Sequence, residues 1–183
     1  MTSENHRQAL SDFLASTEKR AYRMAQLATG DGDEALDIVQ DAMLKLVKHY
    51  SQKAPEQWRP LFYRILHNRI QDHHRRHKIR RAVFGWLGQE RDDHDALPDP
   101  LDNAPAAGPD AADQLKSARA MGVMERAIRQ LPARQQQALM LRLWEGMDVA
   151  ETATAMACSP GSVKTHYARA IAKLRETLGD HWP

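Results

Sequence analysis

With a single cysteine, Cys158, in 183 residues, the chain can hold no internal disulfide and no cysteine-built zinc cluster. That usage fits a reducing compartment. Long apolar runs are missing as well. No stretch approaches the roughly 18 uninterrupted apolar residues of a membrane span, and the opening MTSENHRQALSDFL has no apolar signal core behind a basic start. The expectation is a soluble, cytoplasmic protein with no membrane insertion. Strand signals are absent too: there is no β-branched alternation and no Asn-Gly hairpin turn. What is present is helical. Hydrophobic residues make up 42%, enough for compact cores but not large ones, and a formal net charge of only +2 hides a strong segregation of charge along the chain.

Residues 1–87 read as three helices. The first covers roughly Leu10 to Ala28 and ends at TGDGD, where Gly30 and Gly32 permit a turn. The second runs from near Asp33 to Tyr50, with an apolar stripe of Leu36, Val39, Met43, Leu46, Val47 and Tyr50. Its acids come early and its lysines late, as the helix dipole prefers. After a loop, HYSQKAPEQW, the third starts near Pro60, since proline suits a first helical turn. Residues 88–113 change character: eight acids, one arginine and four prolines in an alanine-rich segment that cannot bury enough apolar surface to fold alone. This reads as a flexible acidic linker. Residues 114–183 are helical again. Pro132 opens one helix, and Asp148 with Glu151 resembles a capping box on a short alanine-rich one. Ser159 and Pro160 start a last, basic helix. The fold class is all-α, two small helical domains in one chain.

In the last helix Val163, Tyr167, Ala170 and Leu174 form the inward stripe, leaving Lys164, Thr165, Ala168, Arg169 and Lys173 wholly or partly outside. Two short helices on a tight turn, the second basic, outline a DNA-binding helix-turn-helix. Lysine and arginine can reach phosphate or guanine and threonine either base type. An ordinary helical hairpin with a solvated basic face fits the periodicity equally well; the CSPGS turn and the two-domain layout favour DNA.

The stretch QDHHRRHKIRR, residues 71–81, poses a separate question. His73 and His77 are four apart and share a helix face, the spacing of a helical zinc pair. With Asp72 and His74 in the stretch and His67 just before it, there are five potential ligands, which makes a metal-dependent enzyme a rival reading. The surrounding arginines raise the local positive potential and disfavour a dication, so the basic residues are read as phosphate-facing and no metal or cofactor is assigned.

Three motifs give the chain a resemblance to a known family. GDGDEALDIVQDAMLKLVK is similar to a D-x-V-Q-[DE] helix, LFYRILHNRIQDHHRR to a W-L-Y-R-I-x-x-N-x-x-x-D-x-x-R-R helix, and LPARQQQALMLRLWEGMDVAETATAMACSPGSVKTHYARAIAKLR to a C-terminal helix-turn-helix. In this order they resemble the extracytoplasmic-function branch of the sigma-70 RNA polymerase sigma factors. The resemblance implies a region 2 domain over 1–87, a linker over 88–113 and a region 4 domain over 114–183. It implies no enzymatic activity and no small-molecule substrate. Asp37, Gln40 and Asp41 match positions that face the β′ clamp helices of core RNA polymerase. His49, Tyr50, Lys53 and Trp58 fall in or beside the loop that captures a base extruded from the −10 element, although packing of the helix junction is the better reading of Trp58. Arg64, Asn68, Arg75 and Arg76 match DNA-facing or helix-ordering positions, with Asp72 at the family's aspartate. Arg142, Ser162, Lys164, Thr165 and Arg169 match the −35 interface. The implied partners are core RNA polymerase (β′ clamp helices and β flap), promoter DNA and an anti-sigma factor. Leu36, Val47, Thr152, Ala155 and His166 depart from the family's usual residues. The remaining alternative is a two-domain helix-turn-helix transcription regulator that is not a polymerase subunit; such a protein needs neither the DIVQD helix nor a long basic third helix.

Overall fold

The computed structural model describes the backbone of residues 3–86 and 111–179 and the side chains of residues 4–80 and 119–179. Most of the acidic linker expected over 88–113, and the side chains of the VFGWLG stretch that precedes it, lie outside the described residues. Among those residues every regular element is helical.

The first group holds α1 (Ser3–Thr29), α2 (Gly32–Tyr50) and α3 (Pro55–Trp86), each packed on the other two. Gly30, at φ 83, closes α1, and its N–H donates to the Gln26 carbonyl at 2.9 Å. Asp31 then caps α2, its carboxylate accepting from the N–H groups of Asp33 and Glu34. Two expectations are corrected here. Helix α3 starts at Pro55, not Pro60, which shortens the preceding loop; a tight first turn (Gln57 N–H to the Ala54 carbonyl, 2.9 Å) leads into it, and Pro60 sits buried inside the helix, omitting one backbone bond. The buried stripe of α2 is also rotated. It consists of Ala35, Ile38, Val39, Ala42 and Leu46, while Leu36 and Val47 are 43% and 41% exposed. The small alanines let α1 and α2 approach closely, and Trp58, Phe62, Tyr63 and Leu66 of α3 fill the rest of the core.

The second group holds α4 (Ala111–Arg129), α5 (Ala133–Leu139), a π-helical segment (Met140–Trp144), α6 (Val149–Met156) and α7 (Pro160–Leu178). The capping box at Asp148 and Glu151 is formed in both directions, each bond 2.8 Å. Ser159 caps α7 through the Ser162 N–H, with Pro160 in the first turn. Between α6 and α7 the chain turns through Ala157, which adopts φ 50 without being glycine. The thin α6 packs through Thr152, Ala153, Ala155 and Met156, so its small residues bring α7 close. Val163, Ala170, Leu174 and Leu178 are the buried stripe of α7, with Tyr167 half-buried.

The two groups pack against each other, α3 on α6 and α1 on α4. At their junction the Glu145 carboxylate, side chain 1% exposed, lies 3.1 Å from Arg20 of α1 and 3.8 Å from Arg59 of α3. Arg23 pairs with Glu125, and Arg129 donates to the Gln26 carbonyl at the end of α1.

Candidate functional site

Four surfaces carry the residues singled out in the sequence. The first is the outer face of α2. Leu36, Gln40, Leu44 and Val47 follow one another at helical spacing, with Asp37 and Asp41 beside them, and all six are exposed. Leu44 is 56% exposed. This face is thus an apolar stripe set among acids, opposite the buried stripe of Ala35, Ile38, Val39, Ala42 and Leu46. Asp41 is already held by Arg69 at 3.1 Å; Asp37 and Gln40 are exposed.

The second surface is a groove at the α2–α3 junction. Its lining includes Tyr50, Lys53, Leu61 and Arg64, with one acid, Glu56, and Thr154 of α6 borders it. It therefore brings together three of the expected −10 residues, Tyr50, Lys53 and Arg64. Exposed His49 stands at its rim, ring edge towards Tyr50 with centroids 6.4 Å apart. Trp58 does not join them, and its place in a base-capturing surface is corrected. It is 1% exposed, lies against His6 and Phe13, and donates from Nε1 to the Tyr50 carbonyl at 3.2 Å. Its bulk fixes the junction on which the groove is built.

The third surface is the basic half of α3. Asn68, Arg75 and Arg76 are exposed; Asp72 pairs with Arg75 at 3.1 Å, one turn along the same helix. The histidines here divide by environment. His67 faces the cavity between the two groups, where burial, with Arg134 and His74 nearby, pushes its imidazole down to about 4. His74 is also lowered, chiefly by desolvation. His73 is buried and bonded to Glu34 across to α2, Nδ1 to Oε2 at 3.1 Å.

The fourth is the outer face of α7. Lys164, Thr165 and Arg169 are exposed and Ser162 half-buried, along one edge of the helix. The Thr165 hydroxyl donates to the Gly161 carbonyl at 3.0 Å, leaving its lone pairs outward. Arg142 differs from that expectation. It lies in the π-helical segment, half-buried, and its guanidinium donates to the Met147 carbonyl, bracing the turn before α6.

Two residues that sequence reasoning passed over prove central. Glu145 and Tyr63 meet between the two groups, both nearly inaccessible. Burial raises the Tyr63 hydroxyl well above the ordinary tyrosine range, and Glu145 adds to the rise. Glu34, which reads only as a helix-dipole acid, reaches His73 39 residues away. Nothing local in the sequence signals either meeting.

All four surfaces lie on a two-part, all-helical protein among the described residues. Residues 13–80 match the family Sigma-70 region 2, and residues 121–174 match Sigma-70, region 4. The chain is 28% identical over 178 residues to the ECF RNA polymerase sigma factor SigM of Mycobacterium tuberculosis, covering 94% of this chain and 79% of that one. It is 27% identical over 168 residues to the RNA polymerase sigma-E factor of Streptomyces avermitilis, covering 91% of this chain and 83% of the relative. In fold it is similar to the sigma factor RpoE from Bartonella quintana, solved in complex with the anti-sigma factor NepR. The TM-score is 0.58 at 22% identity, over 91% of this chain and 96% of that one. The chain belongs to the sigma-70 family, in its extracytoplasmic-function branch. Among the described residues no helix is long and apolar enough to cross a membrane.

Proposed function

We propose that this chain binds core RNA polymerase and directs promoter-specific initiation, with residues 1–87 acting on polymerase and the −10 element, 88–113 as tether and 114–183 on the −35 element. The observation that carries the reading is the outer face of α2. Leu36, Leu44 and Val47 stand exposed beside Asp37, Gln40 and Asp41, in addition to the buried stripe of Ala35, Ile38, Val39, Ala42 and Leu46. A helix that carries a second apolar stripe on its outer side supports a docking role, and the β′ clamp helices are the partner the family implies. The groove of Tyr50, Lys53 and Arg64 takes a base from the opened −10 strand, and Arg75 and Arg76 hold the backbone beyond it. Unstacking costs a few kcal/mol per base, which cationic contacts and a pocket for the base offset. Ser162, Lys164, Thr165 and Arg169 of α7 read the −35 duplex through the major groove. The β flap contacts residues 114–183, and an anti-sigma factor is the expected regulator. The acidic linker enters a basic nucleic-acid path in polymerase by carrying nucleic acid's own sign of charge.

The α2 face is tested by core binding. Leu44→Lys and Asp37→Ala, both at exposed positions, should each weaken binding to core polymerase at least tenfold, about 1.4 kcal/mol, with an unchanged thermal midpoint. Wild-type affinity in both variants would show that α2 is not the docking face.

A further inference from the structure

The first turn of α2 and the middle of α3 bring Glu34, His73 and His77 together, with one donor atom from each lying within 4.8 Å of the others. His73 is buried, its Nδ1 is 3.1 Å from Glu34 Oε2, and the His73 and His77 ring centroids are 4.3 Å apart. Among the described residues this is the one group of three or more histidine, cysteine, aspartate or glutamate side chains so placed. The five ligands suggested by the sequence are thus replaced by a different set. His67, Asp72 and His74 are not in it, and the carboxylate comes from another helix.

The donor chemistry is specific. Two imidazoles and one carboxylate suit zinc with an open position, whereas magnesium and calcium want oxygen donors throughout. We propose that Glu34, His73 and His77 bind a Zn²⁺ ion, with water as the fourth ligand, so that the metal bridges α2 and α3. Zinc bonds of about 2.0–2.2 Å place tetrahedral donors about 3.4 Å apart. Closing the set from 4.8 Å asks for small side-chain rotations, and Glu34, with its side chain 47% exposed, is free to make them. The charge objection weakens in three dimensions. Arg75 and Arg76 are exposed, while Asp31, Asp33 and Asp37 all lie within three residues of Glu34 at the start of α2. The bridge ties the start of α2 to the part of α3 from which the basic half continues, so zinc holds that half in place.

The test uses the tag-free, full-length chain, stripped of metal and titrated with Zn²⁺ against a chromophoric chelator, and with Co²⁺ for its visible bands. It needs neither polymerase nor DNA, so its outcome is independent of the proposed function. One Zn²⁺ per chain, a thermal midpoint that rises with free Zn²⁺, and tetrahedral Co²⁺ bands are expected. Glu34→Gln and His77→Ala should each weaken binding at least tenfold, and His74→Ala should leave it unchanged. Glu34 is exposed, so its substitution leaves the fold intact and circular dichroism checks the others. Absence of stoichiometric binding, affinity indifferent to Glu34→Gln, or equal loss in His74→Ala would overturn the site. In each of those outcomes Glu34 and His73 form a plain hydrogen-bonded tie between helices.

Discussion

Arg75 and Arg76 are neighbours with different company. Arg75 is held by Asp72, whereas Arg76 projects from an exposed turn of α3. If this helix grips the backbone of the opened strand, each lost phosphate contact lowers the salt slope of promoter binding by about 0.7 on single strands and about 0.9 on duplex. Arg76→Ala should therefore flatten the plot of log affinity against log salt by that amount; slopes identical to wild type would remove Arg76 from the interface. Single residues also mark where the sequence was readable. The Asp148–Glu151 box and the Ser159–Pro160 start are local devices, made by residues three apart or adjacent, and both were legible. Glu145 and Glu34 were not, and Trp58 was legible only in part: junction packing is the better reading of it, while the loop beside it leaves a −10 role open. A tryptophan beside a loop faces core or solvent according to helix phase, and the partners of Glu145 and Glu34 lie far away in sequence.

At the scale of elements, the helix-turn-helix rests on a short first helix of eight residues whose small side chains bury little area. Its capping box then matters more than in a longer helix. Asp148→Ala should cost about 1 kcal/mol, seen as a lower midpoint for unfolding and as weaker −35 binding, with core binding unaffected. No change in midpoint would mean that packing alone holds α6. The helices themselves were legible from periodicity and capping residues. Their phases and ends were less so. Periodicity draws the α2 stripe through Leu36 and Val47 because hydrophobicity points inward by default, yet both are exposed. Pro60 reads as a start because proline usually is one, but a tight turn at Pro55 begins the helix earlier. The π-helical segment from Met140 to Trp144 has no sequence signal, and it is what turns Arg142 towards Met147.

At the scale of the molecule, the two-part plan was visible in the acid- and proline-rich stretch between the motifs, while the docking of the parts was not. That docking has a consequence. A compact chain of this length has a radius of gyration of about 16 Å and spans about 40 Å. The −10 and −35 elements lie about 25 base pairs apart, roughly 85 Å of duplex at about 3.4 Å per pair. If the Tyr50–Arg64 groove, which α6 borders, takes the −10 strand while α7 holds the −35 duplex, the packed arrangement is too short to span both. On that reading the halves part on promoter binding, breaking the Glu145 pairs with Arg20 and Arg59. Fluorophores at Gln52 and Lys173 in a Cys158→Ala background should move apart when holoenzyme engages promoter DNA, and Glu145→Ala should shift the free chain towards the long distance. A distance unchanged on promoter binding would contradict the opening. The most direct measurement of the whole account is run-off transcription from genomic fragments with core polymerase, with and without this chain. Discrete transcripts that require the chain and start downstream of sites it protects are the predicted result. No chain-dependent initiation on any fragment, together with no binding to core, would contradict it.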